Sequence, residues 1–154
     1  MKQFTIRVYG ILYNEYNQVL ISDELVKGIR LTKFPGGGLE YGEGTKDCVV
    51  REYMEEMNLH IKVLSHYYTT DFYQESAFNP SSQIISIYYK VQALEPLKVL
   101  TSNVPYNFTK QQLAAYNTSQ QIEAFRWLSI PQATTNDVTF AIDKVVLQML
   151  INNL

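Results

Sequence analysis

Residues 36–59, GGGLEYGEGTKDCVVREYMEEMNL, combine glycines, one arginine and six acidic residues within a short stretch. This is a concentrated use of charge, because only 18% of the whole chain is charged. Within the stretch, residues 45–57 have the spacing of an amphipathic helix. At about 100° per residue, Glu52, Glu55 and Glu56 fall within an arc of about 100°. One face of the predicted helix is therefore a row of carboxylates.

The opposite face of this helix is apolar and is predicted to pack into the core. Its side chains occupy an arc about 140° wide, and they are Val49, Val50, Tyr53, Met54 and Met57. Asn58 follows the last turn and is a predicted C-terminal cap, because asparagine tolerates the left-handed backbone conformation.

The carboxylate face has too few cations nearby to neutralise it. Lys46 lies at the far end of the helix, and Arg51 alone cannot neutralise three glutamates. A solvated acidic face is the common explanation for an isolated E-x-x-E-E pattern. Here Glu43 and the glycines directly precede the helix, which favours a metal site. Oxygen ligands without histidine or cysteine suit Mg²⁺ or Mn²⁺ rather than zinc.

The elements around this helix mix strands with helices. Strands are predicted at residues 4–13, at VLISDE, at 61–73, at 83–94 and at EAFRWLS. Helices are predicted at residues 45–57, 109–116 and 137–154, and the polar stretch 22–33 is predicted to be a loop. This mixture favours an α/β (α+β) fold with a sheet between helices.

Length and composition limit the classes of function. A chain of 154 residues with 46% apolar residues suits one domain, residues 1–154. The net charge of −2 gives no basic excess for binding nucleic acid. No apolar run is long enough to span a membrane, and no leader is evident. With a single cysteine, Cys48, these features predict a cytoplasmic protein.

The spacing of the charged residues resembles a known signature. It runs from Gly37 through five residues to Glu43, then through seven residues to Arg51-Glu52-Tyr53-x-Glu55-Glu56-x-Asn58-Leu59. This resembles the box of the Nudix hydrolases, G-x5-E-x7-R-E-U-x-E-E-x-G-U, in which U is a bulky aliphatic residue. Every charged position matches. Tyr53 departs from the aliphatic and Asn58 from the glycine, but neither departure touches the proposed chemistry.

The resemblance covers about residues 5–150, although only the box is diagnostic. It implies a Nudix-type α/β/α sandwich with a mixed sheet between helices. It also implies that Mg²⁺ or Mn²⁺ would be bound by the side chains of Glu52, Glu55 and Glu56 and by the backbone carbonyl of Gly37. Arg51 would orient the glutamates by ion pairing.

Glu43 would lie close to the implied metal. Three roles are left open for it: a direct ligand, a ligand through water, or the general base. The resemblance further suggests Glu123 as a base from a later segment near Trp127. The alternative for Glu123 is an exposed carboxylate at a strand edge.

The activity implied by the resemblance is hydrolysis of the pyrophosphate linkage in a nucleoside diphosphate joined to another moiety. The alternative is a catalytically silent Nudix-fold module that binds or senses a nucleotide. Nucleoside triphosphates, ADP-ribose, nucleotide sugars and dinucleoside polyphosphates all remain open as substrates, and homodimerisation is left open. No nucleic-acid or membrane partner is expected.

Three further residues are candidates for contacting substrate. Arg30 and Lys33 precede the glycines and could meet phosphates, although exposed loop charges are the simpler interpretation. Tyr73 is a candidate for contacting the nucleotide base of the substrate.

Overall fold

The computed structural model describes residues 1–154, which form eight strands, three α-helices and two 3₁₀ turns. The strands are β1 Gln3–Leu12, β2 Gln18–Val26, β3 Ile29–Lys33, β4 Gly36–Gly38, β5 Ile61–Thr69, β6 Ser82–Ala93, β7 Thr101–Ser102 and β8 Gln121–Ser129. The helices are α1 Thr45–Met57, α2 Lys110–Ser119 and α3 Ala141–Asn152, and the 3₁₀ turns are Ile130–Gln132 and Thr135–Asp137. The predicted mixture of strands and helices, an α+β fold, is confirmed.

The chain divides into two compact units. The first unit contains residues 1–12 and 35–98, and the second contains residues 13–34 and 99–154. Each unit has a four-stranded mixed sheet of its own, in the order β4-β1-β6-β5 in the first unit and β3-β2-β8-β7 in the second.

The sheet of the first unit is built around β1. This strand runs parallel to β6 and antiparallel to the short strand β4. The glycine segment, Gly36–Gly38, is therefore hydrogen-bonded to β1. Helix α1 packs on this unit through contacts with β1, β4 and β5. Its predicted apolar face is buried at Val49, Tyr53 and Met57 and half-buried at Val50 and Met54. The core of the first unit therefore fixes which helix face remains outside.

Helix α1 has the predicted bounds and the predicted cap. It ends at Met57, and Asn58 adopts the left-handed conformation with φ 50° and ψ 42°. The N–H of Asn58 donates to the carbonyl of Met54, which satisfies one of the carbonyls left open at the end of a helix. Asparagine thus does here what the glycine of the Nudix pattern would do.

The sheet of the second unit is built around the antiparallel pair β2 and β8, with β3 on the other edge of β2 and β7 parallel to β8. Helix α3 contacts both 3₁₀ turns. Its buried side chains are Ile142, Asp143, Val146, Leu147 and Leu150. The predicted C-terminal helix is therefore present, but it begins at Ala141 rather than at residue 137. None of the helices is both long and apolar enough to cross a bilayer.

The prediction of a loop at residues 22–33 is wrong. This segment forms most of a β-hairpin, in which β2 and β3 are joined by Lys27 and Gly28. Both joining residues have positive φ, 48° and 80°, as a two-residue hairpin of the favoured twist requires. Three of its charged side chains, those of Asp23, Glu24 and Lys33, are buried in the second unit and are described below.

Candidate active site

The glycine segment and α1 meet within the first unit. Gly37 lies in β4, opposite Val8 of β1. A Cβ atom added to Gly37 would collide with the carboxylate of Glu52. Glycine at this position therefore lets the backbone of β4 approach a glutamate on the acidic face of α1. The arrangement joins the first residue of the sequence pattern to its glutamates.

Arg51 lies at the centre of the acidic cluster, which consists of Glu40, Glu43, Glu52 and Glu55. Its Nε donates to Oε2 of Glu43 at 2.9 Å, and its Nη2 donates to Oε1 of Glu43 at 2.7 Å. Its Nη1 lies 3.0 Å from Oε1 of Glu52 and 3.2 Å from Oε2 of Glu55. One planar guanidinium thereby holds a bidentate carboxylate on one side and two helix glutamates on the other.

The same arginine ties the helix to the segment before it. Its Nη2 donates to the backbone carbonyl of Gly38 at 3.0 Å. It also lies 3.6 Å from the mostly exposed carboxylate of Glu40. The predicted orienting role of Arg51 is therefore geometrically available, since it contacts both the glycine segment and the glutamates.

Glu43 is held firmly in its ionised form. Its hydrogen bonds with Arg51, followed by the backbone N–H of Glu40, lower the pKa of Glu43 to about 2. The N–H of Glu40 donates to Oε1 of Glu43 at 2.9 Å. Both carboxylate oxygens of Glu43 are thus engaged. The interactions with Glu43, Glu55 and Glu52 in turn raise the pKa of Arg51 above its usual range.

Four carboxylates, those of Glu40, Glu43, Glu52 and Glu55, share one arginine, and Glu56 lies on the same helix, so negative charge is in excess. No group of three or more His, Cys, Asp and Glu side chains is gathered into a ready-made metal site. Two of the helix glutamates are instead directed to Arg51. The donor set still fits a hard cation, because it consists of oxygens only and because the Gly37 backbone approaches Glu52 without a side chain between them.

Cys48 is buried at the base of the cluster. Its Sγ lies 3.5 Å from the carbonyl oxygen of Gly38, and burial raises the pKa of Cys48 to about 12. A thiol with so high a pKa is a poor nucleophile, because the thiolate is the reactive form. Cys48 packs between the helix and the glycine segment.

The model of the NUDIX domain matches residues 3–149 of this chain. The chain belongs to the Nudix family. The matched span contains the whole Nudix box and most of each compact unit.

Solved structures agree with this assignment at the level of the fold. The MutT protein from Methanosarcina mazei Go1 is similar with a TM-score of 0.69 and 16% identity, over 99% of this chain and 96% of that one. The ORF135 protein of E. coli is similar with a TM-score of 0.67 and 16% identity, over 99% and 91%. An ADP-ribose pyrophosphatase from Streptococcus suis is similar with a TM-score of 0.55 and 16% identity, over 95% and 86%. No curated protein sequence matches the chain.

Two predicted residues of this Nudix protein, Lys33 and Glu123, lie in a polar cluster of the second unit. Lys33 is buried at the end of β3, and its Nζ lies 3.1 Å from Oε2 of Glu24. Oε2 of Glu123 accepts a hydrogen bond of 2.5 Å from Ser22, and Ser22 lies 3.3 Å from Glu24. Glu24 and Glu123 are direct partners across β2 and β8. Lys33 is therefore not the exposed loop charge of the simpler interpretation.

The sequence analysis does not single out Ser22 or Glu24, because the polar stretch 22–33 is predicted to be a loop. Ser22, Asp23 and Glu24 are consecutive in β2, so no alternation with apolar residues indicates that they are buried. Polar residues that pair across strands are compatible with burial.

Arg30 and Tyr73 are on the surface. The Arg30 guanidinium lies over the ring of Tyr106, 5.0 Å from its centroid, within the second unit. Tyr73 is 67% exposed in the first unit, and its hydroxyl lies 3.5 Å from Glu75. Both side chains are accessible to a ligand.

Proposed function

We propose that this Nudix protein hydrolyses the pyrophosphate linkage of a nucleoside diphosphate joined to another moiety, such as a nucleotide or a nucleotide sugar. One observation carries the proposal: an acidic face of α1 approaches the Gly37 backbone, with every charged position of the Nudix box present. Family membership and the names of the similar structures, which include a pyrophosphatase, support the same reaction class.

The residues proposed to hold Mg²⁺ or Mn²⁺ are Glu52, Glu55 and Glu56, with the carbonyl of Gly37. A bound cation would neutralise the phosphates and lower the pKa of the attacking water. The protein contributes an excess of carboxylate over guanidinium, which attracts the cation. Glycine at position 37 also lets the backbone come close to Glu52. Because this donor set contains no soft ligand, a hard cation is preferred.

Arg51 and Glu43 are proposed to act through the glutamates. The Arg51 guanidinium holds Glu52 and Glu55 in position relative to the glycine segment. Its hydrogen bonds with Glu43 hold the guanidinium itself in place. A general base works best when its pKa lies near the working pH. With its pKa lowered to about 2, Glu43 is better suited to hold Arg51 than to accept a proton from water.

Glu123 is kept as the proposed base, and Arg30, Lys33 and Tyr73 are kept as proposed substrate contacts. The hydrogen bond from Ser22 gives the Glu123 carboxylate a defined position, which a base requires. Exposure supports Arg30 and Tyr73 as contacts, since a ligand can reach them. We also propose that residues 1–154 act as one domain on a small nucleotide-type molecule.

A silent module that binds a nucleotide without cleaving it is the alternative. The observation that favours it is the engagement of Glu52 and Glu55 by Arg51, which leaves no ready-made cluster of three carboxylates. The two functions differ in one measurable respect: the hydrolase turns over its ligand when a divalent cation is supplied.

The test is product release from a substrate panel with Mg²⁺ or Mn²⁺. The panel contains dNTPs, NTPs, ADP-ribose, nucleotide sugars and dinucleoside polyphosphates. Glu55→Gln and Glu56→Gln are measured beside Glu15→Gln, which changes an exposed glutamate of a turn in the second unit. We expect one substrate class to be cleaved, with the rate reduced about 100-fold or more in either box variant, as for loss of one electrostatic group at a reacting centre. Glu15→Gln should behave as the wild type.

A chelator should abolish the same turnover. Turnover that survives both the chelator and the two box variants would refute the metal mechanism. If the protein binds Mn²⁺ in a direct titration and yet cleaves nothing in the panel, the silent module becomes the better assignment.

A further inference from the structure

Tyr53 carries a polar group where the Nudix pattern has an aliphatic residue. The side chain is fully buried, and its hydroxyl has no hydrogen-bond partner in the structure. A buried hydroxyl without a partner costs free energy that an aliphatic side chain would not cost. The position of this hydroxyl therefore calls for a functional explanation.

Gly10 provides the space for the phenol. A Cβ atom added to Gly10 would lie 2.5 Å from the Tyr53 hydroxyl and 2.6 Å from its Cε1. The N–H of Gly10 donates to the carbonyl of Pro35 at 2.9 Å, which ties this point of β1 to the start of the glycine segment. The hydroxyl is therefore directed to the part of β1 that is tied to the glycine segment.

Glu56 is the ionisable neighbour of the phenol. It lies three residues further along α1, a spacing that places two side chains next to each other on a helix. Burial, together with the negative charge of Glu56, raises the pKa of Tyr53 above its usual range. A phenol hydroxyl placed next to a carboxylate can donate a hydrogen bond to it.

We propose that Tyr53 is a positioning residue for Glu56. Its hydroxyl donates a hydrogen bond to the Glu56 carboxylate, directly or through one water, when that carboxylate turns to accept a divalent cation. The evidence is a fully buried hydroxyl without a partner, the space left by Gly10, and the i to i+3 spacing of Tyr53 and Glu56. Hydrogen bonds to metal-binding carboxylates fix their orientation and are commonly needed for full affinity.

The inference rests on the proposed metal site, and its test needs no substrate. Tyr53→Phe keeps the ring and removes only the hydroxyl. Mn²⁺ affinity is measured by direct titration with electron paramagnetic resonance, and Tm is measured with and without Mn²⁺. We expect Tyr53→Phe to bind Mn²⁺ about 10- to 100-fold more weakly. Its metal-free Tm should equal or exceed that of the wild type, because a buried unpaired hydroxyl has been removed.

Tyr116→Phe is the matched control. It removes a hydroxyl of α2 that accepts a hydrogen bond from the N–H of Gly28 in the second unit. This variant should keep the wild-type Mn²⁺ affinity even if its Tm falls. A second variant, Gly10→Ala, displaces the phenol and should weaken Mn²⁺ binding in the wild-type background. In a Tyr53→Leu background Gly10→Ala should have no further effect on affinity.

The outcomes separate this inference from the proposed function. If the wild type binds Mn²⁺ and Tyr53→Phe binds it equally well, the inference is overturned while the metal site stands. A lower metal-free Tm for Tyr53→Phe also overturns it, because the hydroxyl would then have a structural partner. If the wild type itself binds no Mn²⁺, the proposed metal site fails and the inference fails with it.

Discussion

Arg51 in the first unit and Arg126 in the second unit are both held by carboxylates, yet their surroundings differ. Arg126 is buried and meets one partner, with its Nε 2.8 Å from Oδ2 of Asp23 and its Nη2 2.9 Å from Oδ1. The Asp23 carboxylate also accepts hydrogen bonds from the hydroxyl of Thr32 at 2.7 Å and from the N–H of Tyr106 at 3.1 Å. Arg51 is only partly buried and is shared among four glutamates.

The difference lies in stoichiometry as well as in burial. In the second unit one guanidinium neutralises one carboxylate, and both carboxylate oxygens accept two hydrogen bonds. Four hydrogen bonds occupy the acceptor sites of this carboxylate. In the first unit carboxylates outnumber the arginine, and the excess charge is what a cation would neutralise. A complete pair is expected to serve the fold, and an incomplete one to serve binding.

The largest effect is expected from breaking the buried pair. Asp23→Ala leaves the Arg126 charge buried without its partner, which should lower the free energy of unfolding by about 3–5 kcal/mol. Urea unfolding followed by circular dichroism measures this change. A loss below about 1 kcal/mol would contradict the view that this network maintains the fold.

A double variant serves as the control for that experiment. Asp23→Leu with Arg126→Met removes both charges together and should recover most of the lost stability, since apolar replacement of a buried pair is often neutral. A double variant as unstable as Asp23→Ala would assign the loss to packing rather than to the unpaired charge.

The next effect is expected at the shared arginine, in activity rather than stability. Arg51→Lys keeps the charge but cannot hold Glu43, Glu52 and Glu55 in one planar fork. We expect kcat/KM to fall about 10- to 100-fold, as for other groups that orient metal ligands. The free energy of unfolding should change by less than about 1 kcal/mol. A variant that loses stability but not activity would reverse the comparison between the two arginines.

A smaller effect should appear in acid. The pKa of Glu43 is lowered from 4.5 in the unfolded chain to about 2 in the folded protein. Its contribution to stability is therefore present above pH 4.5 and is lost as the pH falls from about 4.5 to about 2. Glu43→Gln should flatten this part of the stability curve, measured by thermal unfolding at a series of pH values. If the stability of Glu43→Gln falls as steeply as that of the wild type below pH 4.5, another carboxylate causes the loss.

The smallest effect is expected at Glu40. Its carboxylate is mostly exposed and lies 3.6 Å from Arg51, so Glu40→Gln should change the free energy of unfolding by less than about 0.5 kcal/mol. Thermal unfolding at low and high salt measures this difference. A loss above about 1 kcal/mol would show that Glu40, rather than Glu43, is the main support of Arg51.

Much of the first unit could be predicted from the sequence because its information is local. The bounds of α1, its buried face and the left-handed Asn58 all follow from helical spacing and from the conformational range of asparagine. For Arg51 the resemblance implies only that it orients the glutamates by ion pairing. Its simultaneous contact with Glu43 and Gly38 depends on how β4 returns to the helix.

The hairpin of β2 and β3 could not be predicted in the same way. Ser22, Asp23 and Glu24 look like a solvated turn when they are read in isolation. Each is buried beside a partner on another strand. The partners are Glu123, Arg126 and Lys33 respectively. Polar side chains remain buried only when they are paired, and local propensity carries no information about such partners.

The sequence by itself determined the family, the charged residues of the Nudix box and the face of α1 on which they lie, because fixed spacing on a helix sets direction. The tertiary structure alone decided how those charges are shared. It assigned four glutamates to Arg51, one aspartate to Arg126, and to Tyr53 a buried hydroxyl beside Gly10. The physical reason is that pairing and burial depend on which distant strands come together, whereas the helix face depends only on neighbouring residues.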